Sequence, residues 1–258
     1  MTRILLTGPF KPFAVDNVYS RKESIPELFH NQLTHFQGVF SPRMAFPTYG
    51  LHLIGANVPE DFTVLEWPTL KRFEKEVRKG YDYIGIGSIA PNLQKVKKMT
   101  ETIREIAPQT KIMAGGFCAM LPNLDKILDV DYICAGEGIS FVRELLGYSP
   151  EFDFVNPDIM PKLVQVMGVP VRIPVPVIVP SLGCNQGCEF CAPTHFFGKK
   201  QITFIQTGQQ LFDEMERLER KTKVTDFNLG GDDNFLINAK RAKQLRDCLV
   251  KSGKPYSY

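Results

Sequence analysis

The chain has 258 residues, 43% of them hydrophobic and 23% charged. This composition excludes a disordered or fibrous protein, and the length suits one large domain or two small ones. The 31 Lys and Arg against 28 Asp and Glu leave a formal charge of +3 with no dense basic run, so no nucleic-acid partner is expected. No apolar run approaches the ~18 residues of a membrane span, so no membrane partner is expected either. Residues 1–10 read as a first strand rather than an export signal, which predicts a cytoplasmic chain.

The first half alternates short apolar runs with amphipathic ones. Strands are predicted at Arg3–Leu6, ended by Gly8-Pro9, and at Thr63–Glu66, Asp82–Gly87, Lys111–Ala114 and Asp131–Ala135. Between them, Val96, Met99, Ile103 and Ile106 recur at helical spacing and predict a helix over Leu93–Ile106. Tyr49–Ala56, Leu70–Lys79 and Ser140–Leu146 are weaker helix candidates. Alternation of this kind implies βαβ crossovers and a mostly parallel sheet, hence an α/β, flavodoxin-like or Rossmann-like domain over residues 1–150, with its ligand at the C-terminal strand ends.

The texture changes after Gly147. Prolines stand at 150, 157, 161, 170, 174, 176 and 180, and proline neither donates to a ladder nor tolerates helix before it. Residues 151–174 are therefore read as a linker. The tail, 175–258, begins again with a strand at Val175–Pro180. A helix follows at Thr207–Arg220, then a strand at Thr225–Leu229 and a helix at Asn238–Ser252. A further strand is expected to begin at Lys254–Tyr258.

The chain contains six cysteines, and three of them, Cys184, Cys188 and Cys191, fall within eight residues directly after a predicted strand. A long chain without an export signal points away from disulfides and towards metal. Glycines at 183 and 187 allow tight wrapping, and a compact loop of thiolates suits an iron–sulfur cluster. Three thiolates on four irons leave one iron open to substrate, as open catalytic metal sites do. A structural zinc site using His195 as fourth ligand is the bland alternative.

The C-x3-C-x-Phe-C loop resembles the signature of radical S-adenosylmethionine enzymes. The resemblance implies that Cys184, Cys188 and Cys191 hold a 4Fe–4S cluster whose open iron chelates S-adenosylmethionine. An electron from the cluster then cleaves that cofactor to a 5′-deoxyadenosyl radical. It also implies that Phe190 lies near the adenine. The family's Gly-Gly-Glu motif, which binds the methionine amino group, is matched by Gly230-Gly231-Asp232, with Asp in place of Glu. The bland reading of that segment is a strand-end turn.

The first half resembles the cobalamin-binding domain found in one branch of the same family. The matching elements are Ser88 after the third strand, Gly115-Gly116 after the fourth, and Gly136-Glu137-Gly138 after the fifth. The loop Thr7–Phe13 lacks the family's histidine motif, so the resemblance implies cobalamin bound without a histidine ligand. Gly85-x-Gly87-x-x-Ala90 matches a dinucleotide fingerprint but follows the third strand rather than the first. The histidines, 30, 35, 52 and 195, form no ligand pattern and read as surface or packing residues.

The resemblance thus implies an N-terminal flavodoxin-like, B12-binding-like domain joined to the first βα units of a radical S-adenosylmethionine barrel. The implied chemistry is reductive cleavage of S-adenosylmethionine for methylation or related carbon functionalisation of a small molecule, with an external electron donor. Only about two of the family's barrel units are recognisable. The expectation is therefore a catalytic fragment, or one half of a split enzyme whose partner chain completes the barrel. The rival reading is a non-catalytic module that binds cobalamin or a cluster.

Overall fold

The computed structural model describes residues 1–10, 43–45, 48–160, 162–165, 175–230 and 235–258, with backbone alone for 43–45 and 162–165. The chain divides into two compact units. One is built on Thr48–Phe152 together with strand β1 (Arg3–Thr7); the other is built on Asp153–Tyr258 together with strand β2 (Arg43–Ala45).

In the first unit β1 pairs with β3 (Asp61–Leu65) on one side and β4 (Tyr83–Gly87) on the other. The sheet continues through β5 (Lys111–Gly115) and β6 (Tyr132–Cys134), and every pair is parallel. Counted in chain order, these five strands lie 2-1-3-4-5, the flavodoxin-like order. Inner strands of such a sheet are covered on both faces and read as continuous apolar runs. Ile4, Leu5 and Leu6 of β1 and Ile84 and Ile86 of β4 are accordingly all buried.

Helices α1 (Tyr49–Asn57), α2 (Leu70–Val77), α3 (Leu93–Ile106), α4 (Leu124–Ile127) and α5 (Gly138–Leu145) separate the strands. The periodic residues Val96, Met99 and Ile103 of α3 join Phe73 and Val77 of α2 in one core with Leu5, Ile84 and Ile112. Expected and observed boundaries agree closely here, and α3 spans the predicted residues. The four-residue α4 was not expected, because it is too short to show a period.

The N-terminal ends of β5 and β6 are tied together by charge. The Asp131 carboxylate accepts from Lys111 Nζ (2.8 Å), the Ile112 N–H (2.9 Å) and Arg104 Nη2 (2.9 Å). Arg104 also spans Asp129.

The second unit contains β7 (Lys162–Gln165), antiparallel to β2, and β8 (Val177–Ile178). Next come β9 (Ser181–Leu182), antiparallel to β10 (Ile202–Thr203), and β11 (Asn228–Leu229), parallel to β8. Its helices are α6 (Ala192–Phe196), α7 (Gly208–Thr222) and α8 (Ala239–Ser252). Thr207 and Gln210 form a capping box at the start of α7. Leu211, Met215 and Leu218 of α7 and Leu245 of α8 bury a core with Ile178 and Phe227.

The strand expected at Val175–Pro180 is regular only at β8. Pro176 and Pro180 have no N–H to give, but their carbonyls still accept, from the Asn228 N–H (2.9 Å) and from Phe204 and Ile205 (2.9 and 3.0 Å). The predicted strand Thr225–Leu229 pairs on both sides. Beyond β8, the Phe227 N–H donates to the Ser257 carbonyl (2.9 Å) and the Ser257 N–H to the Thr225 carbonyl (3.0 Å), a parallel bridge to the tail.

The other edge of β8 is filled from upstream. The Val177 N–H donates to the Ile159 carbonyl (2.9 Å). The Asn156 side chain gives its amide to the Val177 carbonyl (3.1 Å) and accepts from the Val179 N–H (2.9 Å), as a neighbouring strand would. No helix among the described residues is long and apolar enough to cross a membrane.

Asp131 yields a pH test. Burial works to raise its pKa, but the donors from Lys111, Ile112 and Arg104 outweigh burial and hold it at about 2. An unfolded Asp titrates near ~3.9, so the stabilisation is complete above that pH and is lost as pH falls towards the folded value. Asp131→Asn should cost about 2 kcal/mol at neutral pH and flatten the acid limb of stability. Urea unfolding from neutral pH down to about pH 2 measures both, and an unchanged acid limb would assign that limb to other groups.

Candidate functional site

The three-cysteine loop runs from the end of β9 to the start of α6. Entry requires Gly183, whose φ is +75°. A β-carbon there would stand 2.5 Å from the Lys200 carbonyl oxygen and 2.7 Å from the Phe197 β-carbon, so the chain enters pressed against the turn after α6. Within the loop the Cys191 N–H donates to the Cys188 carbonyl (3.1 Å). Thr194 Oγ1 donates to the Cys184 carbonyl (2.6 Å) and accepts from the Gly187 N–H (3.2 Å). His195 Nε2 lies 3.2 Å from the Glu189 carbonyl, so that nitrogen is engaged with the loop's own backbone.

All six cysteines are free thiols. Cys184 is buried, Cys191 half-buried and Cys188 exposed, and Phe190 is 93% exposed. Among the described residues no three His, Cys, Asp or Glu side chains are gathered to hold a metal ion. The donor set nonetheless fits a soft-metal group: three free thiols on one short, backbone-bonded loop.

Gly230 follows β11, and its N–H donates to the Ile178 carbonyl at the end of β8 (2.8 Å). The C-terminal end of β11 is thereby set beside that of β8, from which the chain continues through β9 into the cysteine loop. Gly231 and Asp232 lie outside the described residues.

In the first unit Ser88, Gly115, Gly116 and Gly136–Gly138 all fall at or just beyond C-terminal ends of parallel strands. Several also have work within the chain. The Ser88 N–H donates to the Gly115 carbonyl (3.0 Å), and its own carbonyl accepts from Cys118 (3.0 Å). Gly116 has φ +75°, and a β-carbon there would meet the Ser88 carbonyl oxygen at 2.5 Å. The glycine is thus demanded by a neighbouring strand end before any ligand is considered. Glu137 caps α5, its carboxylate accepting from the Ile139 and Ser140 N–H groups. Gly138 opens α5 against Ile54 of α1. Gly85 and Gly87 of the dinucleotide-like segment lie inside β4 rather than in a loop.

Two features were not anticipated from sequence. Glu66, just beyond β3, accepts from the Thr48 N–H (2.9 Å) and pairs with His52 Nε2 (2.9 Å), so His52 belongs to a polar cluster at a strand end. Thr194 is 1% exposed and bonded at both ends to the cysteine loop. Neither carries a sequence signature; both partnerships exist only once the chain is folded.

No family model matches the chain. Over 77 residues, 30% of its length, it is 31% identical to the cytidylyl-2-hydroxyethylphosphonate methyltransferase of Streptomyces wedmorensis. The similarity is to an enzyme that transfers methyl groups. The matched segment spans 14% of that protein's length.

Thiol reactivity should separate the cysteines. Burial pushes the Cys118 thiol up to about 11; burial, with the Glu137 carboxylate second, pushes Cys134 up to about 12. In the native chain at about pH 8, iodoacetamide should alkylate Cys188 first and leave Cys118 and Cys134 unmodified until unfolding. Peptide mass spectrometry reads the order, and early labelling of Cys118 would contradict its burial.

Proposed function

We propose that this chain belongs to the radical S-adenosylmethionine enzymes, carries a cobalamin-binding-type domain in its first unit, and serves methyl transfer to a small molecule. One observation carries the reading: the three-cysteine loop and Gly230 emerge beyond the C-terminal ends of two adjacent parallel strands, β8 and β11. In open parallel sheets that edge is where ligands bind. The similarity to a methyltransferase supports the transfer chemistry, and the flavodoxin-like strand order supports the domain type.

In this reading Cys184, Cys188 and Cys191 would hold a 4Fe–4S cluster, and the cluster, reduced by an external donor, would supply the electron that cleaves S-adenosylmethionine. The chain's own residues bind and orient. Gly230 and its following residues Gly231 and Asp232 would receive the methionine amino group, and Phe190 would offer an aromatic face to the adenine. In the first unit the strand-end residues Ser88, Gly115, Gly116 and Gly136–Gly138 would border cobalamin.

Anaerobic reconstitution of the whole chain should yield about four iron and four sulfide per chain. Cys184→Ala, Cys188→Ala and Cys191→Ala should each abolish uptake, whereas Cys118→Ala, Cys134→Ala and Cys248→Ala should not. Stoichiometric zinc without sulfide in anaerobically purified protein would overturn the cluster reading. Equilibrium dialysis against hydroxocobalamin tests the first unit: binding weakened by Gly115→Leu is expected, and no binding at high micromolar cobalamin would remove that cofactor from the proposal.

A further inference from the structure

We propose that Thr194 is a positioning residue that holds the cysteine loop in the conformation able to take a cluster, an inference that rests on the cluster reading above. Thr194 lies on α6, three residues after Cys191, and is 1% exposed. A buried hydroxyl needs partners, and this one spends both its donor and an acceptor on the loop. It donates to the Cys184 carbonyl at 2.6 Å and accepts from the Gly187 N–H at 3.2 Å. One oxygen therefore joins the backbone of the first cysteine, the residue preceding the second, and the helix that follows the third.

The anchor is itself fixed. The Thr194 carbonyl accepts from the Lys199 N–H (2.6 Å), where Lys199 sits in a left-handed conformation with φ +58°. A β-carbon on Gly187 would come within 3.8 Å of the Lys199 side chain, and one on Gly183 within 2.5 Å of the Lys200 carbonyl oxygen. The turn after α6 thus braces the loop from outside while Thr194 ties it from within. Three thiolates can close on one cluster only if the backbone segments that carry them are held at fixed separations, and the threonine hydroxyl spans those segments.

Thr194 makes no contact with a metal in this account; it acts through Cys184 and Gly187. Thr194→Val keeps the shape and removes both hydrogen bonds, taking the hydroxyl from the buried Cys184 carbonyl and from the half-buried Gly187 N–H. Thr194→Ser keeps the hydroxyl. The whole chain and both variants are reconstituted anaerobically with iron and sulfide, and iron retention is read by titration with a chelator. The cluster's visible and electron-paramagnetic-resonance signatures are recorded alongside. Iodoacetamide labelling of Cys184 is followed in the iron-free chains, with thermal melting as the control.

Thr194→Val should retain iron roughly tenfold less well, the scale of two lost neutral hydrogen bonds, and label faster at Cys184. Thr194→Ser should restore both. Wild-type retention, signature and labelling in Thr194→Val would overturn the inference. If the wild type takes up no iron and sulfide while Cys184 labelling still responds to Thr194→Val, the loop tie stands and the cluster reading falls. Should Thr194→Val fail to fold, amide hydrogen exchange at Gly187 in the unmodified chain decides: protection is expected, and exchange at the rate of an open loop would overturn the tie.

Discussion

The hydrogen bond from the Gly230 N–H to the Ile178 carbonyl sets the arrangement of the second unit. It extends the parallel pairing of β8 and β11 to the first residue of the Gly-Gly-Asp segment, and parallel strands present their C-terminal ends on one side. The cysteine loop and the Gly230 segment lie far apart in sequence, yet this pairing makes them neighbours in origin. The first unit obeys the same constraint. Five parallel strands bring Ser88, Gly115-Gly116 and Gly136–Gly138 to one edge of their sheet, whatever each residue does there.

The parallel sheet of the first unit was legible because its strands announce themselves twice, as buried apolar runs and as spacers between helices. Ile4–Leu6 and Ile84–Ile86 cannot be half-exposed strands, and the spacing of Val96, Met99 and Ile103 admits only helix. The second unit was harder. Its central strand β8 is short because prolines at 176 and 180 break the donor side of the ladder while leaving the acceptor side intact. A sequence reading registers the missing N–H and not the carbonyl that continues to pair. The bridge at Ser257 required knowing that Thr225 and Phe227 had a free side to offer.

The candidate sites divide in a similar way. Cys184, Cys188 and Cys191 were visible as a spacing, since thiols rarely crowd without a chemical reason. The residues that shape their loop were not visible. Thr194 is ordinary in composition, and its importance comes from where its hydroxyl ends up. At the strand ends of the first unit the opposite holds: the glycines and Glu137 stood out, but Gly116 answers to the Ser88 backbone and Glu137 to the first turn of α5. A motif residue can thus be demanded by its own fold, and a ligand role is then an addition to a position already fixed.

The seal on the outer edge of β8 bears on how the second unit is made. Asn156 and Ile159 precede β8 in the chain, so a ribosome delivers the plug before the strand it covers. Exposed edges recruit foreign strands, and nascent chains grow N-terminus first at about 5–20 residues per second. The segment that covers this edge has therefore already been synthesised when β8 is made. The opposite edge is left to β11, which arrives only after α7 has been made. The order of the chain thus supplies the cover for one side of β8 before the strand itself and the partner for its other side long after it.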